Sequence, residues 1–401
     1  MKILIYGGSF NPPHRGHEAA IRSAAEAVCP ELIFVIPAGM PPHKELAEGS
    51  PSAEERLRLA QLAFSDEKGV EVLDVELRRL GKSYTIDTLQ EISDRFEDPE
   101  LYFLVGTDML MSIEQWYSFD QILSECTLVA LPRYDGDYPR MEEKAAALRA
   151  DYGARIMLIR KNPLPMASTE LRASLCRRQG RELLSEPVYA EIIRRRYYNA
   201  RPELSWLREK AYAMLKPSRV AHVAGCEQEA VRLAERWGED TGDAAEAAIL
   251  HDITKKLSPA EQLRLCEKYG IILDTVERAE PKLLHALTGA YEARERFGVS
   301  DRVFSAIRRH TTGAAGMTTL EKIIYLADFA EPNRSFAGLE RVRDLLYTDL
   351  DLAMIEALRL SVDNVCGGGG TLHPDSLAAL EQLEKERHEE NPTAPPGGAG
   401  E

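Results

Sequence analysis

The sequence predicts an α/β domain followed by an all-α domain, and three observations predict it. Through the first half, short apolar strand-like runs alternate with helical patterns. Such alternation implies a mainly parallel sheet covered on both faces. From residue 204 onward strand patterns vanish and amphipathic helices follow one another. At the join, Asn199-Ala200-Arg201-Pro202 breaks the pattern without a long flexible linker. The expected layout is a domain over 1–199, a helical bundle over 204–385 and a Pro/Gly-rich, disordered tail over 386–401.

A chain of 401 residues is long enough for two or three domains. Its net charge, 50 minus 65 or −15, argues against a general binder of nucleic acid or membrane surfaces. No stretch approaches the ~20 apolar residues that a spanning helix needs. Met1-Lys2 leads into a strand without a signal-peptide pattern. Cys29, Cys126, Cys176, Cys226, Cys266 and Cys366 are scattered, with no CxxC. Buried thiols in a reducing cytoplasm are expected, rather than a disulfide framework or zinc knuckle. Oligomeric state is left open.

In the first half, strands are expected over 2–6, 32–37, 70–75, 101–105, 127–131 and 155–159. The first delivers Gly7-Gly8-Ser9-Phe10-Asn11-Pro12-Pro13-His14-Arg15-Gly16-His17, and an Ala-rich helix follows. The two glycines admit backbone conformations closed to other residues, and close approach of a ligand. A helix N-terminus suits phosphate. His14 and His17, three apart, share a face and are placed to stabilise developing phosphoryl charge. A proline-stiffened loop then carries His43 and Lys44, and an amphipathic helix over 52–63 shows Arg56 on its polar face. Gly81-Lys82-Ser83-Tyr84-Thr85 opens another helix. The fourth strand delivers Gly106-Thr107-Asp108 at its carboxyl end, where ligands of such sheets sit. Trp116-Tyr117 serves either the core or a stacked flat ring. In Ser168-Thr169-Glu170-Leu171-Arg172, either hydroxyl can cap a helix whose amides, with Arg172, can hold phosphates. Arg194–Arg196 ends a helix, where cations suit the dipole.

In order, GGSFNPPHRGH, PPHK, SYTIDTL, GTDM…WY and STELR resemble the bacterial nicotinate-nucleotide adenylyltransferases, over residues 1 to about 199. The resemblance implies a Rossmann-like nucleotidyltransferase domain. It implies transfer of AMP from ATP, with Mg2+, to nicotinate mononucleotide. It places His14, His17, Ser168, Thr169 and Arg172 on the ATP phosphates, with Gly7, Gly8, Ser9, Phe10 and Lys44 lining the nucleotide. Gly106 and Asp108 fall on the adenosine side, and Thr85, Trp116 and Tyr117 on the nicotinate ring and carboxylate. One departure is Ala167, where the family commonly has serine. Nicotinamide mononucleotide and pantetheine phosphate remain alternative acceptors.

In the second half, His222, His251-Asp252, His285, His310 and Asp328 sit within or at the ends of otherwise apolar helices. One such histidine is usually a satisfied core residue. Six such groups are harder to dismiss, because buried charges are costly unless paired or bound to metal. Imidazole with carboxylate suits Fe, Mn or Zn, and six ligands would serve two ions. With His251-Asp-Ile-Thr-Lys255, His310-Thr-Thr-Gly and Asp328-Phe-Ala-Glu331-Pro-Asn-Arg334, this half resembles the symmetrical diadenosine-tetraphosphate hydrolases of the HD-domain superfamily. That implies an HD helical bundle with a two-metal, iron-type centre releasing two ADP, with Lys255 catalytic and Arg334 on a phosphate. A nucleotide-sensing module, or a hydrolase of another nucleotide, is the alternative.

Overall fold

Among the described residues, six strands pair in parallel in the order β3-β2-β1-β4-β5-β6. The computed structural model describes residues 1–40, 46–47, 49–79, 81–160 and 167–390. By contact the chain divides into two units, Met1–Arg201 and Pro202–Glu401.

In the first unit the strands are β1 Lys2–Gly8, β2 Leu32–Pro37, β3 Val70–Val72, β4 Glu100–Gly106, β5 Cys126–Leu131 and β6 Arg155–Leu158. Helices α1 Arg15–Val28, α2 Ala53–Phe64, α3 Thr85–Ser93, α4 Thr107–Ser112, α5 Phe119–Glu125, α6 Tyr138–Tyr152, α7 Ser168–Leu175 and α8 Glu186–Arg195 cover the sheet and complete the unit. Ile3, Ile5, Phe103 and Val105 of the central strands lie in one apolar core with Ile86, Leu89 and Ile122. The strand order reverses between β1 and β4, so a crevice opens beyond their carboxyl ends. Strand β3 is shorter than its apolar run because it is an edge strand that pairs only with β2. After Leu73 donates to Val35, the chain turns at Asp74.

Two local expectations are corrected. Gly7 and Gly8 continue β1 without positive φ, so the turn's one left-handed residue is Phe10, at φ 43°. Arg56 is not on a polar face: it is 1% exposed and donates to the carbonyls of Ser9 (2.8 Å) and Gly39 (2.9 Å). A buried guanidinium that satisfies main-chain acceptors braces the loop after β1.

The second unit is helical: α9 Leu204–Ala213, α10 Val220–Trp237, α11 Thr241–Leu250, α12 Pro259–Tyr269, α13 Thr275–Ala279, α14 Leu284–Phe297, α15 Asp301–Arg309, α16 Thr319–Ala330, α17 Leu339–Leu345, α18 Leu350–Gly367 and α19 Pro374–Glu390. Ser258 and Thr318 form capping boxes with Glu261 and Glu321. Helix α11 starts earlier than its apolar pattern, because Asp240 accepts from the Asp243 N–H. It also stops earlier, so His251 and Asp252 lie in the turn behind it. No helix among the described residues is long and apolar enough to cross a membrane.

Candidate functional site

The glycine–histidine turn is held from three directions. Asn11 donates to the Ser50 hydroxyl and accepts from Tyr198 at 2.7 Å. Arg56 holds the Ser9 carbonyl, and Arg172 of α7 donates to the Asn11 carbonyl at 2.7 Å. Thus STELR and HxGH, far apart in sequence, are tied together through Arg172. Its other arm reaches the Thr169 hydroxyl at 3.2 Å.

His14 is the N-cap of α1, and its ring lies 3.8 Å from that of His17, centroid to centroid. The His14 N–H donates to His17 Nδ1 at 3.1 Å, so a neutral His17 carries its proton on Nε2 as a donor. Buried His14 Nδ1 has no hydrogen-bond partner. Burial, then the Arg133 charge, pushes His14 down to about 4. Burial, then His14 and Arg133, pushes His17 well below its ordinary value. Both rings are therefore neutral imidazoles at neutral pH.

Gly7, Gly8, Ser9, His14, His17, Gly106, Asp108 and Ser168 line one cavity, with Arg133. An adjoining cavity shares Gly7, Gly8, Ser9, Asp108 and Arg133 and adds Thr85, Trp116 and Tyr117. The two make one cleft over the β1/β4 crevice. Tyr117 is exposed and its ring lies 4.6 Å from that of Tyr84, while Trp116 packs edge-on against Phe103. Phe10 lines neither cavity: its ring is buried against Tyr6 and Phe64, which leaves only its backbone for a ligand. Neither hydroxyl caps α7. Ala167 is the N-cap, and its side chain offers no acceptor to the first-turn amides. Lys44 and His43 lie outside the described residues.

Two residues of this cleft escaped the sequence reading. Arg133 follows β5 by two residues and pairs with Asp108 at 2.5 Å; the carboxyl-end rule for parallel sheets marks its position. Glu76 lines the second cavity, accepts from the Thr88 hydroxyl at 3.1 Å and is pushed up to about 7, by burial above all.

In the second unit, six predicted side chains from five places in the bundle converge. His222 comes from α10, His251 and Asp252 from the turn behind α11, and His285 from the first turn of α14. His310 is the C-cap of α15, and Asp328 lies in the last turn of α16. Each imidazole is fixed through Nδ1. His251 faces the Ala248 carbonyl at 2.7 Å, while His285 and His310 face those of Lys282 and Ile307 at 2.6 Å. His222 faces the Glu331 carboxylate at 3.1 Å. Donation from Nδ1 leaves every Nε2 lone pair pointing inward, as metal ligation requires.

Asp252 divides the cluster. Its Oδ2 lies 3.3 Å from His251 Nε2 and 3.9 Å from His222 Nε2. Its Oδ1 lies 3.3 Å from His285 Nε2 and 3.8 Å from His310 Nε2. Asp328 sits 2.9 Å from His222 Nε2. Asp252 Oδ1 and His251 Nε2 are buried with no hydrogen-bond partner. Orphaned inward-facing donors and a carboxylate facing two imidazole pairs fit two divalent ions. Burial would raise the Asp328 carboxyl, yet His222 and the surrounding cations hold it well below its usual range. Burial, with His251 and His285 beside it, keeps His310 neutral.

Arg219, Lys255 and Arg334 ring the carboxylates: Arg219 on Asp252 (2.6 Å), Lys255 on Asp252 (3.3 Å) and Arg334 on Asp328 (2.7 Å). Arg219 was not singled out from the sequence; it stands three residues before His222, just ahead of α10. Glu331 stood inside the quoted motif, but its orienting role needed the fold. A Cβ built on Gly225 would overlap the Glu331 carboxylate, so glycine there lets Glu331 reach His222.

A nucleotidyltransferase-type α/β unit joined to an HD-type helical bundle is the class these features define. The chain matches the cytidylyltransferase-like family over residues 5–174 and the HD domain over residues 219–332. A relative from Mycoplasma pneumoniae, described as a probable nicotinate-nucleotide adenylyltransferase/Ap4A hydrolase, is 28% identical over 82% of this chain and 89% of its own. The symmetrical bis(5'-nucleosyl)-tetraphosphatase of Bacillus subtilis is 40% identical over 44% of this chain and 97% of its own. A probable nicotinate-nucleotide adenylyltransferase of Lachnoclostridium phytofermentans is 35% identical over 49% of this chain and 98% of its own. The chain belongs to the nicotinate-nucleotide adenylyltransferase family through its first half and to the symmetrical bis(5'-nucleosyl)-tetraphosphatase family through its second.

Proposed function

We propose that the chain is a bifunctional enzyme. Its first unit transfers AMP from ATP to nicotinate mononucleotide, giving nicotinate adenine dinucleotide and pyrophosphate. Its second unit hydrolyses diadenosine tetraphosphate to two ADP. In the first reaction a phosphate oxygen of the mononucleotide forms a bond to the α-phosphorus, and the bond to the β-phosphate bridge breaks. A phosphate needs no base at neutral pH, so the protein's work is positioning and charge stabilisation. His17 Nε2–H, His14, the first-turn amides of α7 and Arg172 take the phosphates, and Mg2+ arrives with ATP. Asp108 and Gly106 take the adenosine side, while Thr85, Trp116 and Tyr117 take the nicotinate. The observation that supports this most is the Arg172–Asn11 bond, which sets STELR against HxGH.

For the second reaction, His222, His251, Asp252 and Asp328 would hold one ion and Asp252, His285 and His310 the other. The split environment of the two Asp252 oxygens carries this reading. Such ions supply a hydroxide nucleophile and neutralise phosphate charge. Lys255, Arg219 and Arg334 are placed to bind the polyphosphate. We read the ions as iron, with Mn or Zn as substitutes, and the six free cysteines as suited to the cytoplasm.

The test is elemental analysis of protein purified without chelator, followed by product mass spectrometry on both substrate sets. Nicotinate adenine dinucleotide from ATP and nicotinate mononucleotide, and ADP from diadenosine tetraphosphate, are expected. Equal or better use of nicotinamide mononucleotide overturns the acceptor, and binding of the tetraphosphate without ADP release overturns the hydrolase.

A further inference from the structure

Helix α10 carries a second candidate donor one turn beyond His222. His222 and Cys226, four apart, lie on one face of the helix. Cys226 is 1% exposed, and its Sγ lies 3.3 Å from His222 Nε2 and 4.0 Å from Asp328 Oδ1. His222, Cys226, His251 and Asp328 present four donor atoms all within 4.8 Å of one another. His251 Nε2, fully buried and without a hydrogen-bond partner, is one of the four.

The spacing can be tested against coordination geometry. With metal–sulfur and metal–nitrogen bonds of about 2.3 and 2.1 Å, two ligands of one ion lie about 3.1 Å apart at a right angle and about 3.6 Å apart at a tetrahedral angle. The observed 3.3 Å from sulfur to His222 Nε2 falls between those limits. The usual fate of a buried cysteine is to pack as a small hydrophobe with a weak S–H donor. Here the sulfur instead meets an imidazole nitrogen and a carboxylate, groups that a cation would draw together. Across Asp252, Oδ1 meets the imidazoles of His285 and His310, and the candidate group of His251, Asp252 and His310, which spans both sides, contains no sulfur among the described residues.

We infer that Cys226 is a thiolate ligand to the ion held by His222, His251 and Asp328, and that the two metal positions are therefore chemically unequal. The inference rests on the two-metal reading above. On binding, the metal–sulfur bond replaces the S–H bond and the proton leaves to solvent. A sulfur donor biases that position toward thiophilic ions such as Zn or Co and away from Mg or Mn, while the His285/His310 position keeps a nitrogen–oxygen set.

Cobalt(II) gives a readout independent of turnover, because cobalt–thiolate bonds produce an intense near-ultraviolet charge-transfer band that nitrogen and oxygen ligands do not. The full chain, stripped and reloaded with Co2+, should show this band at the first equivalent added. Cys226→Ser and Cys226→Val should lose it completely while still taking up cobalt. Cys266→Ser, which removes a buried thiol on α12, should keep it. Two cobalt ions bound to the native chain without the band, or a band that survives both Cys226 variants, overturns the ligand assignment alone. A native chain that retains no cobalt overturns the metal-centre reading, and this inference with it. If both Cys226 variants fail to fold, the band should persist in a chain whose other five cysteines are replaced by serine, and its absence there overturns the assignment.

Discussion

The two candidate sites are built by opposite means. The first is an open cleft at the end of a sheet, walled by main-chain groups and by two histidines that burial keeps neutral. Its charged pair, Arg133–Asp108, sits toward solvent, with side chains 39% and 64% exposed. The second is a knot of buried charge, with Asp252 and His251 fully inaccessible. The first is built to admit a large anion and stabilise charge that moves. The second, on the proposed reading, would fix small cations that in turn meet the anion. Loss of one group should therefore be partial in the first site and near-total in the second.

The largest effect follows from Asp252, whose two oxygens face different imidazole pairs. Asp252→Ala should reduce metal content to background. Hydrolysis should fall by about a thousandfold or more, since the ions supply several kcal/mol. Adenylyl transfer should be unaffected. Full metal content in the folded variant, checked by elemental analysis and circular dichroism, would sink the role of Asp252 in holding the ions.

Next comes the glycine–histidine turn. His17→Ala and His14→Ala should each lower kcat of adenylyl transfer by about 10²–10³, the range for removing one donor to developing charge. KM should move much less. Unchanged turnover in both variants would remove them from the chemistry.

These two cases also show what the sequence made legible. HxGH is contiguous, and its place between a strand and a helix can be read from apolar periodicity alone. The parallel sheet followed from the same alternation. The six groups of the second site were legible because each polar group interrupts an apolar helix, which is costly without a reason. What stayed hidden was long-range. Arg56 looks like a surface arginine until Ser9 and Gly39 are brought over it. Glu331 looks like a helix-end acid until α16 is laid against α10. Cys226 looks like an isolated thiol until Asp328 approaches it. The capping reading of Ser168 and Thr169 failed for a local reason: the helix starts one residue too early for Ser168 to be the N-cap and two too early for Thr169.

A smaller effect should follow from loosening one imidazole without removing it. Glu331 accepts from His222 and also takes the Asn333 N–H at 2.7 Å. Glu331→Gln should weaken binding of the first ion about 10–100-fold, as for other residues that orient a ligating histidine. Gly225→Ala should act in the same direction by displacing that carboxylate. Competition with a chelator measures both, and parental affinity in both variants would leave His222 oriented by something else.

The smallest effect is on stability and belongs to the open cleft. The Glu76 carboxyl is pushed up to about 7 from an ordinary value of 4.5, by burial first; its hydrogen bond from Thr88, the Arg79 charge and the Gly39 N–H pull it down, and Asp87 pushes it up. Below the ordinary carboxylate range, folded and unfolded chains both hold Glu76 neutral, and its burial carries no ionisation cost. As pH rises from about 4.5 toward 7 the unfolded chain loses the proton first, so this residue progressively destabilises the fold. Above 7 the penalty is complete. Glu76→Gln keeps the shape and stays neutral, so it should match the parent at pH 4 and exceed it by about 1–3 kcal/mol at pH 8, the lower end allowing for solvent reach. Urea melts of both proteins at each pH measure the difference. A gap that does not widen between those pH values would mean that Glu76 is ionised in the fold, with a cation nearer to it than Arg79.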